Sequence, residues 1–125
     1  MLVLDSDMLI EILRRGSHLG AEVLEIIKAL DDDVVTTAIN IHEMLYGLLR
    51  RGKHLSDLMR ILNLPYTRED AALSANLEVH VERASAPSGR IDTMIAAVAI
   101  NNNAKLYTFR RRHFHSFTGK GLILV

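Results

Sequence analysis

The chain contains no cysteine among its 125 residues. It therefore has no thiol groups with which to build a disulfide framework or a cysteine-ligated zinc site. A reducing, intracellular environment is the simpler expectation for a chain of this composition.

The chain also lacks an excess of charge of either sign, because 15 basic residues balance 15 acidic ones. A nucleic-acid-binding role cannot be inferred from this net charge and depends on local basic patches. One such patch, formed by Arg110, Arg111 and Arg112, lies near the C-terminus.

Long apolar runs are missing as well, since none approaches the roughly 20 residues that a transmembrane helix needs. The N-terminus has neither the basic flank nor the cleavage site of a secretory signal. These absences predict a soluble cytoplasmic protein without membrane contact. The hydrophobic content of 49% is enough to fill one core, so residues 1–125 are expected to form a single domain.

The first five residues organise the predicted fold. Residues 1–4 form an unbroken apolar run, as expected for a strand that is buried on both faces of a parallel sheet. Asp5 then lies at the carboxyl end of this strand, where open α/β sheets bind their ligands. A structural role is the alternative, since Asp5, Ser6 or Asp7 could each cap the helix predicted from about Met8 to Leu13.

The rest of the chain alternates short strands with helices. Apolar periodicity and turn residues predict further helices at residues 18–30, 38–51, 53–62, 67–86 and 91–100, and further strands at 34–37, 63–67, 106–108 and 122–125. This alternation predicts a three-layer α/β/α fold, in which helices cover both faces of a short parallel sheet of four to five strands.

Glu43 is the second candidate acid and lies on the helix predicted at residues 38–51. At about 100° per residue, Glu43 falls opposite an apolar face, which comprises Ala38, Ile41, Leu45, Leu48 and Leu49. Glu43 is therefore interpreted as an acid at the rim of a cleft, although periodicity equally allows a surface glutamate. The helix is apolar over more of its circumference than one core face needs, which predicts a homodimer interface.

Asp92 is the third candidate acid. The residues at 94–100 are apolar on every side, which predicts a helix buried between the sheet and other elements. Asp92 lies in its first turn, where unpaired backbone amides and the helix dipole favour an anion. It is either a site residue or only the N-terminal charge of this helix.

These acids are expected to converge, because strand ends and helix starts meet on one side of such a sheet. Asp5 and Asp92 should face one crevice that Glu43 can reach. Carboxylates in one pocket repel each other unless a hard divalent cation, typically Mg²⁺ or Mn²⁺, binds between them. Such a cation can activate water for attack on a phosphodiester bond. Replacing one of the repelling acids should leave the stability of the metal-free protein unchanged or slightly raised.

Four sequence blocks, in this order and spacing, resemble the PIN-domain ribonucleases and most closely the compact VapC-type toxins. The blocks are LVLDSDMLIEIL at the N-terminus, TAINIHEMLYGLLRRG around Glu43, GRIDTMIAAVAINNNAKLYT around Asp92, and RRRHF followed by GLILV. The resemblance implies a PIN-like, Rossmann-like fold and a Mg²⁺- or Mn²⁺-dependent endoribonuclease. It also implies a cognate VapB-type antitoxin as partner and a homodimer.

The resemblance further implies roles for individual residues. Asp5, Glu43 and Asp92 correspond to the family's metal-binding acids, which would carry catalysis. Ser6 and Thr108 correspond to the small hydroxyl residues beside those acids. His113 and Phe114 correspond to the His-Phe pair that usually closes the family pattern.

Arg110 departs from the family pattern, which commonly has a fourth acid or an asparagine two residues after the threonine. Either one cation suffices, or Asp7 substitutes from the first helix, or the domain is weakened as an enzyme and acts by binding RNA or protein. The Arg110 guanidinium could also hold an RNA phosphate. Arg111 and Arg112 are predicted RNA contacts.

Two other enzyme classes have weaker support. The run LVLDSDM also resembles the start of a haloacid-dehalogenase-type phosphatase, in which the first acid of an Asp-x-Asp pair is the nucleophile. Such enzymes need a later acidic pair, whereas IDTMIAA carries one acid. A ribosomal-RNA-processing PIN enzyme would lack its usual accessory zinc module, because the chain has no cysteine.

Overall fold

A computed structural model of the chain describes residues 1–53 and 60–125, so most of the helix predicted at 53–62 lies outside the described residues. The described strands form one parallel sheet in the order β3-β2-β1-β4-β5. They are β1 (Leu2–Leu4), β2 (Val34–Thr37), β3 (Asn63–Leu64), β4 (Lys105–Tyr107) and β5 (Ile123–Leu124). The expectation of a short parallel sheet is confirmed, and β3, which precedes Pro65, lies at one edge of it.

The first five described helices begin and end close to the predicted positions, whereas the helical segments at residues 111–120 were not predicted. They are α1 (Ser6–Leu13), α2 (His18–Leu30), α3 (Ala38–Leu49), α4 (Arg68–Arg83), α5 (Arg90–Asn101) and α6 (Arg111–Phe114), with a 3₁₀ helix at His115–Lys120. The hydroxyl oxygen of Thr37 caps α3 by accepting from the Asn40 amide at 3.1 Å. Thr67 and Asp70 form a capping box at the start of α4.

The side chains of β1 alternate between two cores, which makes the fold a three-layer α/β/α arrangement as predicted. Val3 packs in a cluster built mainly from α4, α5 and the C-terminal helical segment. Leu2 and Leu4 pack in a second cluster with α1, α2 and α3. Because both faces of β1 are covered, Leu2 and Val3 are completely buried. This explains the unbroken apolar run at the N-terminus.

The helix α5 is buried as predicted, since residues 95–99 have no solvent-exposed surface. The predicted apolar face of α3 is partly wrong. Leu49 is 66% exposed, whereas Asn40, Ile41 and Met44 are buried. The helix is therefore rotated so that polar Asn40 faces inward, and hydrogen bonds to the end of β1 and the start of α1 make this burial possible. Among the helices of the described ranges, none combines the length and apolarity that crossing a lipid bilayer requires.

Candidate functional site

The candidate acids lie at the edge of the sheet where its strand order reverses. The chain runs from β1 outward to β2 and β3, and later adds β4 and β5 on the other side of β1. Asp5 follows β1, and Thr108 follows the neighbouring strand β4. Such a reversal opens a crevice at the carboxyl ends of the strands. We call the group formed by Asp5, Glu43 and Asp92 the acidic pocket.

Asp5 is completely buried and accepts hydrogen bonds through both carboxylate oxygens. Its Oδ1 accepts from the Ser6 backbone amide at 2.9 Å and from Asn40 Nδ2 at 2.8 Å. Its Oδ2 accepts from Thr108 Oγ1 at 2.6 Å and from Arg110 Nη2 at 3.1 Å. Asp5 therefore caps α1 and also lines the acidic pocket.

Asp92 enters the pocket from the first turn of α5 and is 4% exposed. Its Oδ2 accepts from the Gly89 backbone amide at 3.0 Å and lies 3.1 Å from His113 Nδ1. Its Oδ1 lies 3.1 Å from Arg110 Nη1. The carboxylate thus caps its own helix with one oxygen and turns the other toward Asp5 across the guanidinium.

Arg110 stands between two of the predicted acids. Its two terminal nitrogens contact Asp5 and Asp92, and its backbone amide donates to Thr108 Oγ1 at 3.0 Å. The guanidinium carbon lies 5.5 Å from the centroid of the Phe114 ring. Burial alone would lower the pKa of Arg110, but the carboxylates of Asp5 and Asp92 raise it, so the group stays charged.

Glu43 is half-buried on α3 and accepts from Ser6 Oγ at 3.0 Å. Burial raises the pKa of Glu43, and the negative charges of Asp5 and Asp92 raise it further. Ser6 joins Glu43 to Asp5, because its hydroxyl donates to Glu43 and its backbone amide donates to Asp5. Glu43 is a pocket residue and not an ordinary surface glutamate.

Asp7, the predicted substitute for a fourth acid, binds backbone amides. Its Oδ1 accepts from the Met8 amide at 2.7 Å, and its Oδ2 accepts from the Phe109 amide at 3.1 Å. Burial raises the pKa of Asp7, and the charge of Asp5 adds to this effect. These contacts tie α1 to the segment after β4.

Asn40 is the pocket residue that sequence reasoning missed. It is completely buried, and its Nδ2 donates to Asp5 Oδ1 at 2.8 Å and to Ser6 Oγ at 3.0 Å. Its Oδ1 accepts from Thr37 Oγ1 at 2.6 Å. A signal was available, because Asn40 is a polar residue three positions after the capping Thr37 of a largely apolar helix.

The three consecutive arginines do not form one surface. Arg110 points into the acidic pocket, whereas Arg111 and Arg112 are exposed. The Arg111 guanidinium donates to the backbone oxygen of Val125. Arg112 is therefore the member of the run that is most available to an external anion.

The donor set was tested against the divalent cation that the sequence implies. Asp5, Glu43 and Asp92 offer the carboxylate oxygens that Mg²⁺ and Mn²⁺ prefer. Within residues 1–53 and 60–125, however, no three acidic or histidine side chains converge on one point that could hold a metal ion. The guanidinium of Arg110 fills the gap between Asp5 and Asp92. The donor chemistry therefore suits the cation, and in this structure the positive charge between Asp5 and Asp92 is supplied by Arg110.

An open groove of about 580 Å³ lies between α1 and α3, and Glu43 borders it. Apolar side chains line the groove, including Ile10, Leu13, Met44 and Leu48, and basic side chains at Arg14, Arg51 and Lys53 surround it. Ile10 and Leu13 are 46% and 50% exposed. The groove is thus an apolar surface with a basic rim next to the acidic pocket.

Replacing Glu43 with glutamine should raise the stability of the metal-free protein at neutral pH. The pKa of Glu43 in the folded chain lies above its ordinary value of 4.5, so ionised Glu43 destabilises the fold at neutral pH. This cost disappears as the pH falls below the ordinary value, because the carboxyl group is then neutral in the folded and unfolded chain. Glutamine keeps an acceptor for the Ser6 hydroxyl. Thermal melts in EDTA between about pH 4 and pH 8 measure the difference.

The matched control for this prediction is Glu25→Gln, which changes an exposed glutamate on α2. It should show no comparable change in stability with pH. A Glu43→Gln protein that is no more stable than the wild type at neutral pH would contradict the assignment of Glu43 to a repulsive pocket.

A profile of the PIN domain family matches residues 2–118, which is most of the chain. A comparison with curated proteins found no match.

Solved structures with a similar fold include FitAcB from Neisseria gonorrhoeae, with a TM-score of 0.80 and 19% identity over 99% of this chain and 96% of the other. VapBC2 from Rickettsia felis, bound to a DNA fragment from its promoter, has a TM-score of 0.77 and 19% identity over 99% and 96%. A toxin-antitoxin complex from Klebsiella pneumoniae has a TM-score of 0.74 and 18% identity over 100% and 96%. At these identities the similarity establishes the fold.

Proposed function

We propose that this chain, which belongs to the PIN domain family, is a metal-dependent endoribonuclease and acts as the VapC-type toxin of a toxin–antitoxin pair. The observation that carries the proposal is the placement of Asp5 and Asp92 on either side of the Arg110 guanidinium at the reversal point of a parallel sheet, with Glu43 joined to Asp5 through Ser6. Acids in mutual repulsion at such a crevice are suited to binding a divalent cation. The toxin–antitoxin names of proteins with the same fold support the biological role.

The acids of the pocket would hold Mg²⁺ or Mn²⁺, which supplies an activated water and neutralises charge on the phosphodiester. The chain's own residues prepare this site. Asn40 and Thr108 fix both oxygens of Asp5, and Ser6 fixes Glu43 by donating to Oε1. Because these donors are buried or partly buried, the carboxylates are held in place before any ligand arrives.

RNA contact is assigned to the basic residues beside the pocket. Arg112 is exposed, and Arg111 lies next to it at the start of α6. A chain with no net charge gains electrostatic attraction for RNA only from such local groups. We therefore assign affinity for the RNA backbone to this pair, and chemistry to the acids.

The proposed partner is a cognate VapB-type antitoxin. The Klebsiella pneumoniae structure with a similar fold is a toxin-antitoxin complex, which supports this partner. The apolar groove between α1 and α3, with its basic rim, offers a surface for a partner segment that carries apolar and acidic side chains.

A homodimer is also proposed, because Tyr46 and Leu49 are 59% and 66% exposed on α3.

One observation favours a second candidate function, a PIN domain that binds RNA or protein without cleaving it. Arg110 already neutralises part of the pocket by pairing with Asp5 and Asp92. A binding-only domain would lose nothing when divalent cations are removed. The dehalogenase-like phosphatase is not proposed further, because the family match covers residues 2–118.

The direct test is cleavage of structured RNA by the purified protein with Mg²⁺ or Mn²⁺. Adding EDTA should abolish cleavage, and Asp92→Asn should reduce it on the order of 100-fold or more. The exposed Asp33 provides a matched control, and Asp33→Asn should cleave at the wild-type rate. Cleavage that survives EDTA, or that Asp92→Asn retains while folded, would rule out the metal-dependent nuclease. RNA binding without cleavage under any of these conditions would favour the second candidate.

A further inference from the structure

Arg110 occupies the position in which a cation would link the two buried acids of the acidic pocket. Its Nη2 lies 3.1 Å from Asp5 Oδ2, and its Nη1 lies 3.1 Å from Asp92 Oδ1. A single guanidinium thus connects the end of β1 to the start of α5. Its positive charge offsets the repulsion between the two carboxylates, as a bound metal ion would.

The two carboxylates do not depend on Arg110 for their positions. Asp5 also accepts from the Ser6 amide, Asn40 and Thr108. Asp92 also accepts from the Gly89 amide and contacts His113. Both acids would therefore keep their orientation if the guanidinium left.

The arginine is the exposed member of this group. Its side chain is 36% exposed, whereas the side chains of Asp5 and Asp92 are 0% and 5% exposed. Two contacts hold Arg110 against the pocket. Its guanidinium lies over the Phe114 ring, and the Arg110 backbone amide donates to Thr108. A long side chain at the solvent boundary can exchange with a dissolved cation, while the buried acids stay in place.

We propose that Arg110 is a built-in, displaceable cation that closes the acidic pocket of the metal-free protein and competes with divalent metal ions for Asp5 and Asp92. The proposal rests on the proposed function, because it takes these acids as the cation site. Arg110 then stabilises the metal-free fold and weakens metal binding. Metal occupancy is coupled to release of the guanidinium.

Calorimetric titration of MnCl₂ into the wild type, Arg110→Met and Arg110→Lys tests the competition without RNA. Arg110→Met has a similar length and no charge, so it should bind Mn²⁺ about tenfold more tightly or better. Arg110→Lys should lie between them, because an ammonium group cannot pair with both carboxylates in the same forked geometry. Arg83→Met removes the same charge from an exposed position at the end of α4 and should bind Mn²⁺ as the wild type does.

Thermal melts provide the second measurement. In EDTA, Arg110→Met should melt at a lower temperature than the wild type, because the two carboxylates lose their counter-ion. Saturating Mn²⁺ should raise its melting temperature more than that of the wild type. Circular dichroism verifies that each variant is folded, and the Arg110→Lys series carries the test if Arg110→Met does not fold.

Equal Mn²⁺ affinities for the wild type and a folded, uncharged variant would overturn the proposal. So would the lack of Mn²⁺ binding by all variants at millimolar concentration. The proposed function fails in a different way. A wild type that shows this competition but does not cleave RNA would leave the role of Arg110 standing and remove the nuclease assignment.

Discussion

Asp5→Asn should unfold more easily than the wild type and should lose RNA cleavage, although the change removes one of three repelling acids. Both oxygens of Asp5 accept from buried or partly buried donors, including Thr108 and Arg110. In the asparagine side chain an NH₂ group replaces one carboxylate oxygen. That NH₂ group would face hydrogen-bond donors that the oxygen now accepts from. Leaving a buried donor unsatisfied costs about 1–3 kcal/mol, and more when the donor is charged. Urea denaturation in EDTA measures the loss.

Thr108→Val serves as the comparison for this prediction. It removes one neutral donor to Asp5 and the acceptor of the Arg110 backbone amide, and it keeps the Asp5 carboxylate. We expect it to cost less stability than Asp5→Asn and to reduce cleavage only partly. If Asp5→Asn is as stable as the wild type, repulsion among the acids outweighs the hydrogen bonds, as the sequence alone had led us to expect.

The fold was predictable because its signals are local. The unbroken apolar run before Asp5 is typical of a strand with both faces covered, because every side chain of such a strand is buried. The strand β1 is of this kind. The capping Thr37 and Thr67 lie at the predicted helix starts. Asp5 and Asp92 follow from the same logic, because a strand end and a helix start meet at one edge of a parallel sheet.

The contacts inside the pocket were not predictable, because they join residues far apart in sequence. Arg110 and Asp5 are 105 positions apart, and no periodicity reports whether the guanidinium turns inward. The predicted orientation of α3 about its axis was wrong for a related reason. Counting apolar residues favoured Leu49 for the core, whereas the hydrogen bonds of Asn40 to Asp5 and Ser6 determine which face is buried.

The most severe change in the pocket should be Asn40→Asp. Within the described residues, every buried polar side-chain atom has a hydrogen-bond partner, and Asn40 supplies two of these bonds through its amide nitrogen. The substitution replaces the amide that donates to Asp5 Oδ1 at 2.8 Å with an acid. An uncompensated buried charge costs about 3–5 kcal/mol. The variant should therefore be strongly destabilised at neutral pH.

This loss should depend on pH with a definite sign. Two adjacent buried carboxyl groups share a proton, which raises the pKa of one of them above that in the unfolded chain. The destabilisation is then largest at neutral pH and shrinks as the pH falls through that raised pKa, because the pair then takes up a proton. Asn40→Leu removes the same hydrogen bonds without adding a charge, so its cost relative to the wild type should vary little over that range. Asn76→Asp on the exposed surface of α4 should be nearly neutral. Urea denaturation at several pH values separates the three variants, and parallel curves for Asn40→Asp and Asn40→Leu would show that residue 40 does not face Asp5.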